Sequence, residues 1–192
     1  EFTVENRAVI VCGGGKICRT YQHSAEQVCK INDYDKDMIG IAATRLNAEM
    51  VRSLFGDKAF EKVITDPTQK INTDKKIIIG AGWKPGFSSD MDAVVLAEQF
   101  QAAEVLNISN IDYVYDKDPK KYKDAKKLEK ISWQDYFKII GTEWKPGMNS
   151  PFDPIASKKA KEASIKVKIL NAEIENLKKC INGYEFSGTV LG

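Results

Sequence analysis

Histidine is almost absent from this chain: His23 is the only one in 192 residues. A Ser-His or Cys-His nucleophile needs an imidazole base. His23 stands among polar residues on a predicted helix, the setting of a solvated side chain, so those catalytic classes are excluded. Cysteine is also scarce. Cys12, Cys18, Cys29 and Cys180 form no C-x-x-C pair, which argues against a disulfide framework and against zinc. Charge of one sign is missing too: 29 basic residues face 27 acidic ones, a net +2. The chain therefore has no global field to draw in nucleic acid or an anionic membrane, and any anion must be held by local geometry. No apolar run approaches the roughly 20 residues that span a bilayer, and no basic segment precedes an apolar one at the start. The expectation is a soluble, cytoplasmic protein without a nucleic-acid or membrane partner.

What is present suits one globular domain, with 43% hydrophobic and 29% charged residues. AVIVC (Ala8 to Cys12) and KKIIIGAG (Lys75 to Gly82) are short apolar runs rich in β-branched residues, as expected of strands buried on both faces. EVLNIS (Glu104 to Ser109) and VKIL (Val167 to Leu170) are further strands. Helices are predicted from Lys16, across Met38, Ile41, Ala42, Leu46, Met50 and Leu54 at helical spacing, from Asp90 to about Phe100, over Trp133 to Ile140, and from Pro154. Alternating strands and helices imply an α/β fold with a mostly parallel sheet covered by helices. In such folds ligands bind outside the carboxyl ends of the strands.

Three loops fall at that edge. Gly13-Gly14-Gly15 followed by Lys16 lies between a strand and a helix, where glycines let a ligand approach the backbone and the helix start offers free N–H groups. It is a phosphate cradle or a structural turn. Arg19, one helical turn beyond Lys16, is a phosphate ligand or a solvated charge. The tetrapeptide WKPG occurs twice, at Trp83 to Gly86 and Trp144 to Gly147, each time followed by a hydroxyl, an Asp and a helix. Trp anchors such a loop, Pro-Gly turns it and Lys supplies a mobile cation. Asp90 and Asp153 are then ligand-directed acids or helix caps, and Asp153-Pro154 fits an N-cap with Pro at the first helical position.

In order and spacing, CGGGKICRTY, DMIGIAATRLNAE, GAGWKPGFSSDMDAVVLAEQFQA, NISNIDYVYDKDPKKYKDAKKL and FDPIASKKA resemble the amino-acid kinase fold. Within it they resemble the uridylate kinases of archaeal type, and the likeness covers nearly the whole chain. It implies a three-layer α/β/α fold and transfer of the ATP γ-phosphoryl group to UMP, giving UDP and ADP with Mg²⁺, in pyrimidine nucleotide synthesis. It further implies a homo-oligomer, a hexamer in this family, with an acceptor half at about 1–100 and an ATP half at about 101–192. The other activities of the fold act on isopentenyl phosphate, carbamate or acylated amino acids, and a non-catalytic nucleotide-binding relative is the remaining alternative.

Carried over by motif, Gly14 and Gly15 underlie the phosphates, Gly14 on the UMP side and Gly15 on the ATP side, and Arg19 contacts the phosphates. Asp37 accepts from the ribose hydroxyls of UMP, with Thr44 and Asn47 on the helix behind it. Trp83, Lys84, Pro85, Gly86, Phe87, Ser88 and Ser89 wrap UMP. Ser109, Tyr115 and Asp118 hold ATP, and Asp153 orients lysine and phosphates. No protein ligand is assigned to a metal. Two departures stand out: Tyr113 replaces the family's glycine, and the family's opening strand with its Gly-Gly-Ser type loop is not found in the 192 residues.

Overall fold

A computed structural model describes residues 6–142 and 150–192. The chain forms two compact units, Glu1–Gln99 and Phe100–Gly192. The second WKPG turn lies outside the described residues.

In the first unit, strand β1 (Ala8–Val11) pairs in parallel with β2 (Ile77–Gly80), from Ala8 opposite Ile77 to Val11 opposite Gly80. Both strands therefore end at the same edge. β2 is buried at all four residues, as a run of β-branched Ile predicts, and the 59–64 segment bridges to its other side at Ala59 and Ile64. β1 differs from expectation. Each of its residues is only half-buried, because among the described residues it pairs with β2 alone and is an edge strand. Helix α1 (Gly15–Val28) follows β1, and α2 (Asp33–Phe55) packs against α1 and β2. Asn32 caps α2 by accepting from the Asp35 N–H at 2.8 Å, with Asp33 and Asp35 in the positively polarised first turn. Helix α3 (Ser89–Gln99) runs from the β2 loop back along β1. Cys12, Ala48, Ala59, Ile77, Ile79 and Ala81 form the core between α2 and the strands.

The helical spacing of α2 is correct, but of the face it implies only Ile41 is buried. Met38, Leu46, Met50 and Leu54 are 41, 59, 59 and 79% exposed, while Ile41, Ala43, Thr44 and Ala48 are buried. Apart from Ile41 the buried face is built of small residues, because α2 lies close against the strand loops and bulk there would hold it away.

In the second unit, β3 (Glu104–Ser109) pairs in parallel with β7 (Lys166–Asn171), and β8 (Thr189–Leu191) joins β7 antiparallel and β6 (Lys130–Ile131) in parallel. β4 (Val114–Tyr115) and β5 (Lys127–Leu128) form a separate antiparallel pair. Helices α4 (Trp133–Ile140), α5 (Pro154–Glu162) and α6 (Ile174–Ile181) complete the unit. The crossover from β3 through α5 to parallel β7 puts the start of α5 at the carboxyl edge of β3.

Candidate functional site

In the first unit the site is assembled on α2, which holds both loops at the carboxyl ends of β1 and β2. The Asn47 amide donates to the Gly13 and Gly14 carbonyls at 2.8 and 3.2 Å, fixing the triple-glycine turn. One turn earlier, the Thr44 hydroxyl accepts from the Gly82 N–H at 2.8 Å and donates to the Ile41 carbonyl at 2.7 Å. Arg45 donates to the Gly82 and Trp83 carbonyls at 3.2 and 2.9 Å. Near the start of the helix, Asp37 Oδ2 accepts from the Gly86 N–H at 2.8 Å. Asp37, Thr44, Arg45 and Asn47 thus place two loops that lie far apart in sequence.

Close approach explains two of the glycines. A Cβ at Gly14 would fall 2.6 Å from Cys18 Cβ, and one at Gly82 would fall 2.8 Å from Thr44 Oγ1. The position of a Cβ on Gly13 lies 3.7 Å from Ser89 Oγ, so the glycine turn borders the start of α3. Arg19 and Asp37 both act on half-buried Cys18: burial pushes its thiol up, the exposed Arg19 guanidinium pulls it down and the Asp37 carboxylate raises it again.

The loop itself is a built surface. Trp83 and Phe87 meet edge to face with centroids 4.8 Å apart, and Lys84 Nζ sits 3.8 Å from the Trp83 ring centroid and 4.9 Å from that of Phe87. Phe87 N–H closes the Pro85-Gly86 turn onto the Lys84 carbonyl at 3.2 Å. Ser88 Oγ accepts from the Met91 N–H at 3.1 Å and so caps α3, which leaves its O–H as the donor it can offer a ligand. Ser89 opens the helix.

Asp92 and Arg45 were not among the predicted site residues. Asp92 is fully buried in the first turn of α3, its Oδ2 accepting from the Trp83 N–H at 3.3 Å. Burial pushes its carboxyl up to about 7, against the pull of the Trp83 amide and of Arg45. A signal for it exists in the sequence: Asp92 stands one turn before the buried Leu96, on the apolar face of its helix.

In the second unit, Ser109 ends β3, its hydroxyl 3.4 Å from Asn110 Oδ1. The following turn is tied along the sheet edge, with Asp112 Oδ1 accepting from Asn171 Nδ2 at 2.6 Å and the Val114 N–H donating to Thr189 at 2.8 Å. Tyr113 brings no strain in place of glycine. Among the described residues only Gln101 and Ser164 are non-glycines with left-handed backbone, and Lys127 Nζ covers the Tyr113 ring at 4.6 Å. Tyr115 lies in β4, and exposed Asp118 organises the turn after it by accepting from the Lys120 N–H at 2.9 Å. Asp153, 6% exposed, caps α5 through Oδ1 on the Ala156 N–H at 2.8 Å. Its segment is pinned from two elements: the Tyr136 hydroxyl accepts from the Phe152 N–H at 2.7 Å, and Asn107 donates to the Pro151 carbonyl at 2.8 Å. Among the described residues no three His, Cys, Asp or Glu side chains converge as metal ligands.

In the first unit, parallel strands end in glycine-bearing loops with helix starts behind them, the arrangement by which proteins of the α/β class hold anions. Comparison with known proteins narrows this. Residues 1–171 match the amino acid kinase family. The chain is 35% identical over 191 residues to the uridylate kinase of Methanobrevibacter smithii, covering 97% of this chain and 84% of that protein. It is 36% identical over 195 residues to that of Thermococcus kodakarensis, covering 100% and 86%. The crystal structure of the Archaeoglobus fulgidus uridylate kinase superposes with a TM-score of 0.84 at 31% identity, over 100% of this chain and 87% of that one. The chain belongs to the amino acid kinase family, in its uridylate kinase branch, and has the fold of that family.

Proposed function

We infer that this chain is a UMP kinase, transferring the γ-phosphoryl group of ATP to UMP to give UDP and ADP. The observation that carries the reading, beside the kinship, is that one helix, α2, reaches both the glycine turn and the Trp83 to Ser89 loop at one strand edge. UMP would lie in the first unit, between Gly14 and the 83–89 loop. Its ribose hydroxyls would donate to Asp37, an acceptor-only carboxylate suited to a vicinal diol. The N–H groups of the loop and the Ser88 and Ser89 hydroxyls would read base and phosphate, with Lys84 the mobile cation. Arg19 would hold phosphate oxygens through its planar fork.

In the second unit, Ser109, Tyr115 and Asp118 would hold the adenine and ribose of ATP; in the first, Gly15 and Arg19 would contact phosphate. Asp153 would orient lysine and phosphates. Mg²⁺ would accompany ATP, held mainly by substrate phosphates and water, and no protein ligand is assigned to it. Such an ion neutralises charge developing on the transferred group. The chain's own residues supply position and electrostatic stabilisation, which is most of what phosphoryl transfer asks of a protein.

The exposed stripe Met38, Leu46, Met50 and Leu54 supports a homo-oligomer, and the hexamer of the resemblance is the form we propose. Among the described residues no helix is long and apolar enough to cross a membrane. From the kinship we propose a cytoplasmic place in pyrimidine nucleotide synthesis. UMP-dependent release of ADP from ATP tests the activity. Asp37→Asn tests the site: it should raise the KM for UMP and leave that for ATP nearly unchanged, whereas equal loss on both would refute the assignment.

A further inference from the structure

Asp92 holds a costly position for a group with so few partners. Its carboxyl is 0% exposed, Oδ2 accepts from the Trp83 N–H at 3.3 Å, and Oδ1 has no hydrogen-bond partner among the described residues. Helix capping does not account for it, since Ser88 already caps α3. The cation that faces it is Arg45 of α2, whose Nε and Nη2 are committed to the Gly82 and Trp83 carbonyls. β1, packed along α3, is Ala-Val-Ile-Val and contributes no charge. One peptide segment is therefore gripped on both sides: Asp92 takes the N–H of Trp83 and Arg45 takes its C=O. Trp83 in turn carries the ring on which Lys84 and Phe87 are stacked.

We propose that Asp92 is a positioning residue for the phosphoryl acceptor, fixing the Trp83 peptide and so seating the 83–89 loop without touching substrate. The proposal rests on the reading of that loop as the UMP site. The grip is charge-assisted when Asp92 is ionised and weaker when it is protonated, a change centred near the value of about 7 to which burial raises it.

Steady-state kinetics at pH 6 and pH 8 test it. Asp92→Ala should raise the KM for UMP at pH 8 by about fivefold or more, the worth of one hydrogen bond, with kcat and the KM for ATP within about twofold of wild type. Asp92→Asn resembles the protonated acid. It should match the wild-type KM for UMP at pH 6 and exceed it by about threefold at pH 8, since a charged acceptor roughly doubles a hydrogen bond. Comparing the two proteins removes the second ionisation of the substrate's own phosphate, near about 6. Independently of turnover, the Trp83 backbone amide resonance should titrate near pH 7 in the wild type and not in Asp92→Asn. An unchanged KM for UMP in Asp92→Ala, or the same Asn-to-wild-type ratio at both pH values, overturns the proposal and leaves the kinase reading intact. If Asp92→Ala does not fold, the Asn ratio and the amide titration decide. If the wild type does not phosphorylate UMP, the kinase reading fails, and the amide titration alone decides whether Asp92 holds the loop.

Discussion

Replacing Asp92 with Asn should change how stability depends on pH, in a direction fixed by burial. In the folded chain the carboxyl keeps its proton up to about pH 7, while in the unfolded chain it ionises near 3.8. Between those values the unfolded state binds fewer protons than the folded one, so this group's contribution to stability falls as pH rises and levels off above about 7. About three pH units separate the two ionisations, at about 1.4 kcal/mol each, which puts the full penalty near ~4 kcal/mol. The part lost between pH 5 and pH 8 is roughly 2–3 kcal/mol. Asn keeps the acceptor for the Trp83 N–H and cannot ionise. Its amide nitrogen, placed where Oδ1 lacks a partner, adds a constant cost of about 1–3 kcal/mol that does not vary with pH. Urea denaturation of both proteins at pH 5, 6, 7 and 8 isolates the difference, since every other titrating group is shared. The variant should gain roughly 2–3 kcal/mol on the wild type from pH 5 to pH 8. Parallel stability curves would refute the reasoning, because they would mean that Asp92 is ionised alike in both states.

Three further substitutions probe the scaffold and the chemistry. Thr44→Val leaves the buried Gly82 N–H without its acceptor, so stability should fall by about 1–3 kcal/mol and the KM for UMP should rise; a melting temperature within a degree of wild type would show that the loop finds another partner. Arg19→Lys keeps charge but loses the fork, and turnover should drop at least about tenfold, or ~1.4 kcal/mol, against the wild-type rate expected of a mere surface charge. Asp153→Asn preserves the cap on Ala156, so melting should stay within about two degrees while saturating turnover falls on the order of a hundredfold; an unchanged rate would leave Asp153 a helix cap only.

Much of the fold was legible because its strands and helices carry strong local signals. The Ile77–Gly80 strand, the glycine turns and the Asp153-Pro154 helix start are where the residues indicate. β4, β5 and β6 span two residues each, too short for any periodicity, and β8 is a three-residue strand. Helix α6, with Ile174 exposed and Cys180 buried, has too few core positions to announce itself. For α2 the period was readable but the face was not, because hydrophobicity ranks Leu46 and Met50 above Ala48, and the contact with the strand loops selects for small size. Asp37, Thr44 and Asn47 entered through the resemblance, and their geometry follows from the helix: they are spaced to meet loops from two different strands. Arg45 acts on the backbone carbonyls of Gly82 and Trp83, a pairing that leaves no pattern along the chain, whereas Asp92 leaves only its place one turn before Leu96 on the apolar face of α3.

The central claim is the acceptor. The most direct measurement offers the native protein Mg·ATP with UMP, CMP, isopentenyl phosphate and carbamate in parallel, and follows ADP together with the phosphorylated product. UMP should be turned into UDP with a kcat/KM at least about a hundredfold above the other three, the discrimination that hydrogen-bonded recognition of a base and a ribose supplies. Preferential phosphorylation of isopentenyl phosphate or carbamate, or nucleotide binding with no ADP formed on any of the four, would contradict the account.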